Sequence, residues 1–474
     1  MTSTLSPLDA LFLHAEDGIS HMHIGSCAIF EGPAPTCSAI SQLLQTKLHR
    51  LEHYRQRIRF VPMNLGHPLW VDDTGFDIAY HVRHTALPEP GDEVDLENLM
   101  GRLMSQELDR SRPLWEAWVV EGLSGGRWAL ISKVHHCMVD GVAGTDMLAA
   151  VLDTTRETDS TDPPSWTPEP PPSGLGLAVD AVAETAIKPA RWLAALGVNG
   201  ISPRAARRRA GQLIVGLREL RSELVRPMKS VSVEGLIGPD RRWAAGRCSL
   251  DEVKQICAAA GASVNDVVLA ASTGGFRALL LARGERVDGV VLRTLVPVSI
   301  RAAGDHTANN QVSLLVAELP VGIADPLERL HSIRDQMMVL KAGRQVQAAG
   351  TVLAAAEFIP PAMFAFGAHL LMTLLRRVPQ GAIHTVTTNV PGPSGPLYAL
   401  GREMLEYLPF VPLSEGVRIG VAIMSYNGHV AFGVTGDYDT APDVHAMSKH
   451  IEAEVAVLRR ATDRLTSVET GRRS

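Results

Sequence analysis

Residues 160–174, STDPPSWTPEPPPSG, cannot join a packed core. Proline withholds backbone donors, and the stretch is dominated by Pro, Ser and Thr. This linker divides the 474-residue chain into two parts, each long enough to bury a core of its own. Before it, 41–51 and 97–108 have helical spacing, while 23–30, 76–84, 115–120 and 128–134 suit strands. After it, 178–228 is rich in Ala, Leu and Arg and reads as helical, with breaks at Gly197, Gly200 and Pro203. Strand and helix signals then resume. Ser249 with Glu252, and Ser263 with Asp266, resemble capping boxes that open helices ending near Gly261 and Gly284. Segments 290–298, 312–319, 417–426 and 429–435 read as strands. Alternation in both parts gives an α/β class with two similar-sized domains joined by a long, partly helical crossover. The expected division is 1–159, a linker and crossover over 160–240, 241–462, and a disordered tail over 463–474.

An apolar fraction of 46% and a charged fraction of 20% exclude wholesale disorder. The net charge of −6 argues against a nucleic-acid binder. The five cysteines (Cys27, Cys37, Cys137, Cys248 and Cys257) show no C-x-x-C spacing, so a disulfide framework or a cysteine zinc site is not expected. The opening MTSTLSPLDALFLHAED has no basic n-region and is not read as a secretory signal, so an intracellular protein is expected. The apolar stretch 358–375 is broken by Pro360 and Pro361 and contains His369. It is too short beyond the prolines for a span of about 20 residues, and reads as a buried or interfacial helix.

One run carries chemistry: Lys133-Val-His135-His136-Cys-Met-Val-Asp140-Gly141. Two histidines end an apolar strand and are followed by a carboxylate and a glycine, with a helix expected over 145–152. Histidine, with an unperturbed pKa of about 6.5, is the usual general base near neutral pH. Asp140 could orient the imidazole or brace the loop through an arginine, and Gly141 permits a backbone approach that a side chain would block. The bland alternative is a pair of satisfied core histidines beside an Asp-Gly turn; the combined HHxxxDG pattern favours function. Adjacent histidines on a strand face opposite ways, and no second ligand cluster exists in the sequence, so metal binding is set aside. There is no G-x-S-x-G elbow and no phosphate-binding glycine loop. Cys137 reads as a buried thiol. What remains is a histidine base without a protein nucleophile, which suits direct group transfer.

Across nearly its whole length the sequence resembles the bacterial wax ester synthase/diacylglycerol acyltransferase family, especially mycobacterial-type triacylglycerol synthases. The resemblance rests on Ser6-Pro-Leu-Asp-Ala-Leu-Phe-Leu13, Trp70-Val-Asp-Asp, Phe76-Asp-Ile-Ala-Tyr-His81-Val, Leu108-Asp-Arg-Ser-Arg-Pro113-Leu-Trp115-Glu116 and HHCMVDG. In the second part it rests on Val264-Asn265-Asp266-Val, Arg293-Thr-Leu-Val-Pro297-Val-Ser-Ile-Arg301, Thr388-Asn389-Val-Pro391-Gly392-Pro393 and Ser425-Tyr-Asn-Gly428. Asn309-Asn310 stands where such sequences often carry Gly-Asn, leaving Asn310 as the equivalent.

The resemblance implies two coenzyme-A-dependent acyltransferase-like (chloramphenicol acetyltransferase-like) domains with a channel between them. It makes His136 the general base and His135 a supporting residue, and gives Asp140 a bracing role with Arg301 as its candidate partner. Acyl-CoA would be the cosubstrate, with no permanently bound cofactor and no metal. The acceptor would be diacylglycerol or a long-chain alcohol. Asn265 is a candidate oxyanion donor, although Asn265 and Asp266 at a helix start are better explained by structure. Pro113-Leu-Trp115 reads as a packed strand entry, and 388–393 as a turn able to line the channel. The alternatives are transfer to another lipid or polyketide hydroxyl, and a catalytically weak lipid-surface protein of the same fold.

The net charge conceals a local bias. Residues 188–229 hold ten Lys/Arg against two Asp/Glu, a net of +8, leaving −14 for the rest of a chain whose total is −6. Leu213, Leu217, Leu220 and Leu224 share one helical face there, with Arg218 and Arg221 beside it. The bland reading is a solvated domain-crossing helix. The sharper expectation is a cytoplasmic protein whose crossover makes peripheral contact with anionic membrane or lipid droplets.

Overall fold

The computed structural model describes residues 3–51, 53–138, 147–157, 165–174, 176–177, 179, 183, 229–299, 312–342, 361, 363, 366–367 and 383–471. Two six-stranded sheets carry the architecture. The first runs from edge to edge as Tyr398–Ala399, Arg402–Phe410, His23–Phe30, Arg127–His135, Trp115–Leu123 and Val82–Ala86. Its neighbours are antiparallel except for the last pair. The second runs as Val312–Leu319, Leu292–Ser299, Thr385–Pro391, Ile419–Tyr426, His429–Asp437 and Arg241–Ser249. Leu292–Ser299, Thr385–Pro391 and Ile419–Tyr426 lie parallel to one another, and the other pairs are antiparallel. The α/β class with two sheet-rich parts is thus present, and the parts exchange chain: Arg402–Phe410, from beyond the linker, belongs to the first sheet.

Local chemistry moves several elements from their expected bounds. Thr36 accepts the Ala39 N–H and starts a helix at Cys37–Lys47, four residues ahead of the expected 41–51. Asp92 and Asp95 form a reciprocal capping box, so the helix over Glu93–Met104 precedes the expected 97–108. The strand expected over 76–84 opens as a helical turn, Ile78–His81, because Asp77 caps the Ala79 N–H at 3.0 Å; the strand follows as Val82–Ala86. Ser263 and Asp266 do make the full capping box, and Gly261 ends the preceding helix in the left-handed region at φ 61°. The helix they open, Val264–Ala282, is long and apolar enough to cross a membrane. However, 72% of its apolar window is buried in the protein, and it is a core helix. The last helix, Val444–Gly471, runs on through most of the segment expected as a disordered tail. The basic crossover lies outside the described residues except for Lys229. The stretch 358–375 does so except for Pro361, Met363, Phe366 and Gly367.

Three cores result. One lies under the second sheet against Leu250–Ala260, Val264–Ala282, Pro326–Ala342 and Val444–Gly471. One fills the outer face of the first sheet around Trp115 and Trp128. The third joins the parts: Leu96, Leu99 and Met100 meet Trp243, Ala245, Leu408, Phe410 and Ala431. Close backbone approach makes that seam. A Cβ on Gly101 would lie 2.7 Å from the Arg241 carbonyl oxygen, and one on Gly433 would overlap the carbonyl oxygen of Pro409. Trp243 Nε1 donates to that same Pro409 oxygen at 3.0 Å. Glu97, 5% exposed, accepts the Ala245 N–H at 3.1 Å and pairs with His445 at 2.8 Å.

Gly433→Ala is therefore expected to lower stability by about 3 kcal/mol through backbone overlap at the seam. Gly395→Ala, with nothing within 4 Å of the added Cβ, should stay within about 0.5 kcal/mol. Urea denaturation of the two variants checks the contrast, and equal midpoints would refute the seam's dependence on Gly433.

Candidate active site

The strand Arg127–His135 is buried along nearly its whole length, and both neighbours hold it in register: His23 faces His135 on one side, and Trp115 faces Val134 on the other. The Lys133 ammonium, 1% exposed, donates to the carbonyls of Leu103 (3.0 Å) and Gln106, which ties the strand to the end of the helix Glu93–Met104. Burial lowers Lys133 to about 8. His23 Nε2 donates to the Met104 carbonyl at 2.8 Å. The His135 N–H bonds the Leu114 carbonyl at 2.9 Å, and the chain then tightens into the single turn His136–Met138.

The two motif histidines have different surroundings. His135 is fully buried. Its Nδ1 accepts the Cys137 N–H at 3.2 Å, with the Cys137 sulfur 2.9 Å away. An accepting Nδ1 carries no proton, so the proton sits on Nε2, which faces Glu16 Oε2 at 3.5 Å. Burial pushes the Cys137 thiol well above its usual range, so it stays protonated and serves the His135 ring.

His136 is partly open, and its ring stacks on Phe12 with centroids 3.8 Å apart and planes 20° from parallel. Its N–H bonds the Met22 carbonyl at 2.8 Å, and its Nδ1 has no hydrogen-bond partner among the described residues. Burial of the ring lowers His136 to about 4; the neighbouring His135 acts in the same direction, and its own backbone carbonyl opposes. The imidazole is consequently neutral at pH 7 and free to accept a proton.

The wall against which this turn rests is the first helix, Pro7–Ala15. Ser6 caps it through the Asp9 N–H at 3.1 Å, and Pro7 occupies its first turn. Phe12 on this helix and Glu16, the capping residue just past its end, lie against His136 and His135 respectively. Burial opposes the charge on Glu16. The adjacent His135 ring and the Arg110 guanidinium outweigh it and hold the carboxyl at about 2. Arg110 reaches Glu16 Oε2 through Nη2 at 2.6 Å and Nε at 3.1 Å, and Nη2 also satisfies the Leu13 carbonyl at 3.2 Å.

Residues 5–268 match the wax ester synthase/diacylglycerol acyltransferase catalytic domain, and residues 308–459 match the C-terminal domain of the same family. The chain belongs to that family. It is 38% identical over 469 residues to the probable diacylglycerol O-acyltransferase tgs1 of Mycobacterium tuberculosis, covering 96% of this chain and 95% of that one. Among solved structures it resembles the wax ester synthase/diacylglycerol acyltransferase of Marinobacter aquaeolei, with 27% identity and a TM-score of 0.67 across 97% of this chain and 100% of that one. The trichothecene 15-O-acetyltransferase of Fusarium sporotrichioides shares the fold at 12% identity, with a TM-score of 0.60 over 97% and 95% of the two chains.

Of the residues singled out from the sequence, His135 and His136 form the site just described. Asp140, Gly141, Arg301 and Asn310 lie outside the described residues. Asp266 is 5% exposed and caps its own helix, accepting the Ser263 N–H at 2.8 Å and hydroxyl at 2.7 Å. Asn265 Oδ1 accepts from Asn389 Nδ2 at 3.2 Å, joining the helix start to the strand Thr385–Pro391, which takes up most of the segment expected as a turn over 388–393. Leu114 and Trp115 are buried, and Trp115 Nε1 donates to the Tyr54 carbonyl at 2.9 Å. Sequence reasoning missed Phe12, Glu16, Met22 and Arg110. Phe12 and Arg110 lie inside segments that carried the family resemblance, but only folding brings them to the histidines. No group of three or more His, Cys, Asp or Glu able to hold a metal occurs among the described residues.

The environment of His136 makes its ionisation measurable. Because burial lowers a base that is protonated only when charged, the ring should remain neutral as pH falls through 6.5 and charge only near 4. Histidine-labelled NMR titration, assigned with His136→Gln, reads this directly. A midpoint near 6.5 would refute it.

Proposed function

We propose that this chain moves a long-chain acyl group from acyl-CoA to the free hydroxyl of diacylglycerol, with His136 as the general base. The observation that carries the base assignment is the neutral His136 ring, held flat on Phe12, with no hydrogen-bond partner for its Nδ1 among the described residues. The transfer class comes from the family: an acyl-CoA-dependent acyltransferase of the diacylglycerol/wax ester type. Long-chain alcohols are the second acceptor class in this reading, giving wax esters.

The chemistry needs no protein nucleophile. His136 takes the hydroxyl proton while the acceptor oxygen attacks the thioester carbonyl carbon, an assistance worth roughly 10²–10⁴-fold. The tetrahedral adduct collapses with cleavage of the C–S bond. The departing thiolate receives the proton from His136, which leaves free coenzyme A, the new ester and a neutral imidazole. At about 4 the ring is a weaker base than free imidazole, but it is wholly in the accepting form at neutral pH.

The same proposal places the protein in the cytoplasm, with the basic crossover 188–229 in peripheral contact with the inner membrane face or lipid droplets. Its support is compositional: a net of +8 with leucines on one helical face, suited to an enzyme whose acceptor is insoluble. No resident cofactor, metal or nucleic-acid partner enters the reading.

Purified protein given labelled palmitoyl-CoA with diacylglycerol or hexadecanol tests the reaction. Labelled triacylglycerol or wax ester is expected, with His136→Ala losing about 10²–10⁴-fold in kcat/KM. Parental activity in His136→Ala would overturn the base. Absence of transfer to either acceptor by the parent protein would overturn the proposed substrates.

A further inference from the structure

We infer that Glu16 is a positioning residue for the histidine pair, acting on both members at once. The inference rests on the proposed role of His136. Each oxygen of the Glu16 carboxylate has a separate task. Oε1 accepts the Met22 N–H at 3.1 Å, and the Met22 carbonyl in turn accepts the His136 N–H at 2.8 Å. Oε2 faces the His135 Nε2 at 3.5 Å and takes both Arg110 bonds. One carboxylate thus fixes the backbone from which His136 departs and the proton position on its neighbour.

The alternative is a helix-end anchor, in which Glu16 serves only to bind Arg110. Three features speak for the wider role. The side chain is 6% exposed, deeper than an anchor for a surface arginine requires; the Arg110 side chain itself is 40% exposed. The Met22 bond spans six residues and has no part in the Arg110 pair. The charge is also permanent, since the carboxyl is held at about 2, so His135 faces an anion throughout the working pH range. With Nδ1 of His135 already accepting from Cys137, that anion selects the tautomer with the proton on Nε2. A change in this tautomer would withdraw the acceptor from the Cys137 N–H and loosen the turn that presents His136.

The full-length Glu16→Gln variant tests this, because it keeps the size and an acceptor oxygen while removing the charge. Misplacement of a reacting group costs up to about a hundredfold, so kcat should fall roughly ten- to a hundredfold. KM for palmitoyl-CoA and for diacylglycerol should stay within about twofold, as expected of a residue that acts only through the histidines. Nitrogen-15 histidine spectra, assigned with His135→Gln, should show the His135 Nε2–H signature lost or mixed. A kcat within twofold of the parent, with the His135 signature unchanged, would overturn the inference.

If Glu16→Gln does not fold, Glu16→Asp keeps the charge and the Arg110 partner but withdraws the carboxylate from Met22, and the same fall in kcat is expected. Parental activity in His136→Ala would remove the underlying reading. An inactive His136→Ala beside a fully active Glu16→Gln would overturn this inference alone.

Discussion

The backbone pairing between Arg402–Phe410 and His23–Phe30 is the constraint on which the remaining arrangement depends. It inserts a strand from late in the chain beside one from its beginning, with Phe410 opposite Gly25 and Leu408 opposite Cys27. The same His23–Phe30 strand pairs on its other edge with the motif strand, so His23 meets His135 and Gly25 meets Lys133. The place of the turn His136–Met138 is therefore set by three remote parts of the chain in one ladder. The exchanged strand also lies against the second sheet, where Pro409 meets Gly433 and Trp243. Arg247 adds a charged lock, reaching Glu406 on the exchanged strand at 2.5 Å and Glu93 on the helix of the first part. Domains joined this way cannot hinge freely: opening the seam would break the Trp243–Pro409 and Ala245–Glu97 hydrogen bonds and expose the core around Phe410 and Trp243.

Local chemistry was legible in the sequence wherever it was self-contained. The Ser263–Asp266 box, the glycine stop at Gly261 and the histidine pair at a strand end each depend on neighbours a few residues away, and each is where the pattern puts it. The strand Arg402–Phe410 gave no such signal. REMLEYLPF mixes charge and apolar residues without clean alternation, and its partner lies hundreds of residues earlier. The helical turn at Ile78–His81 was hidden for a smaller reason: Phe, Ile, Tyr and Val suit a strand, and a single capping bond from Asp77 overrides them. At the site the histidines could be named but not their supports. Arg110 and Glu16 are 94 residues apart, and nothing in either segment alone announces their pairing.

The adjacent histidines show how position on a strand end divides one residue type into two tasks. His135 is the last residue of the ladder and points into the protein, where Cys137 and Glu16 determine its tautomer. His136 belongs to the turn, and its ring meets the flat face of Phe12 instead of a charge. An apolar neighbour favours the neutral imidazole. Glu16 is kept one residue away, with Arg110 balancing it. The site thus holds a permanent charge pair close to His136 without protonating it.

That arrangement also bears on why transfer should be direct. A covalent acyl-enzyme requires a nucleophile activated by a base, and Cys137 is the residue adjacent to His136 in sequence. Its thiol is 4% exposed and raised well above its usual range by burial, and its sulfur lies against His135, not His136. A thiol so placed stays protonated, which makes it a poor nucleophile. Activation of an incoming hydroxyl makes no such demand, because the acceptor brings its own nucleophile to a base that is already neutral. The buried cysteine is then part of the machinery in a different sense: its N–H fixes the first histidine, and the turn it belongs to carries the second.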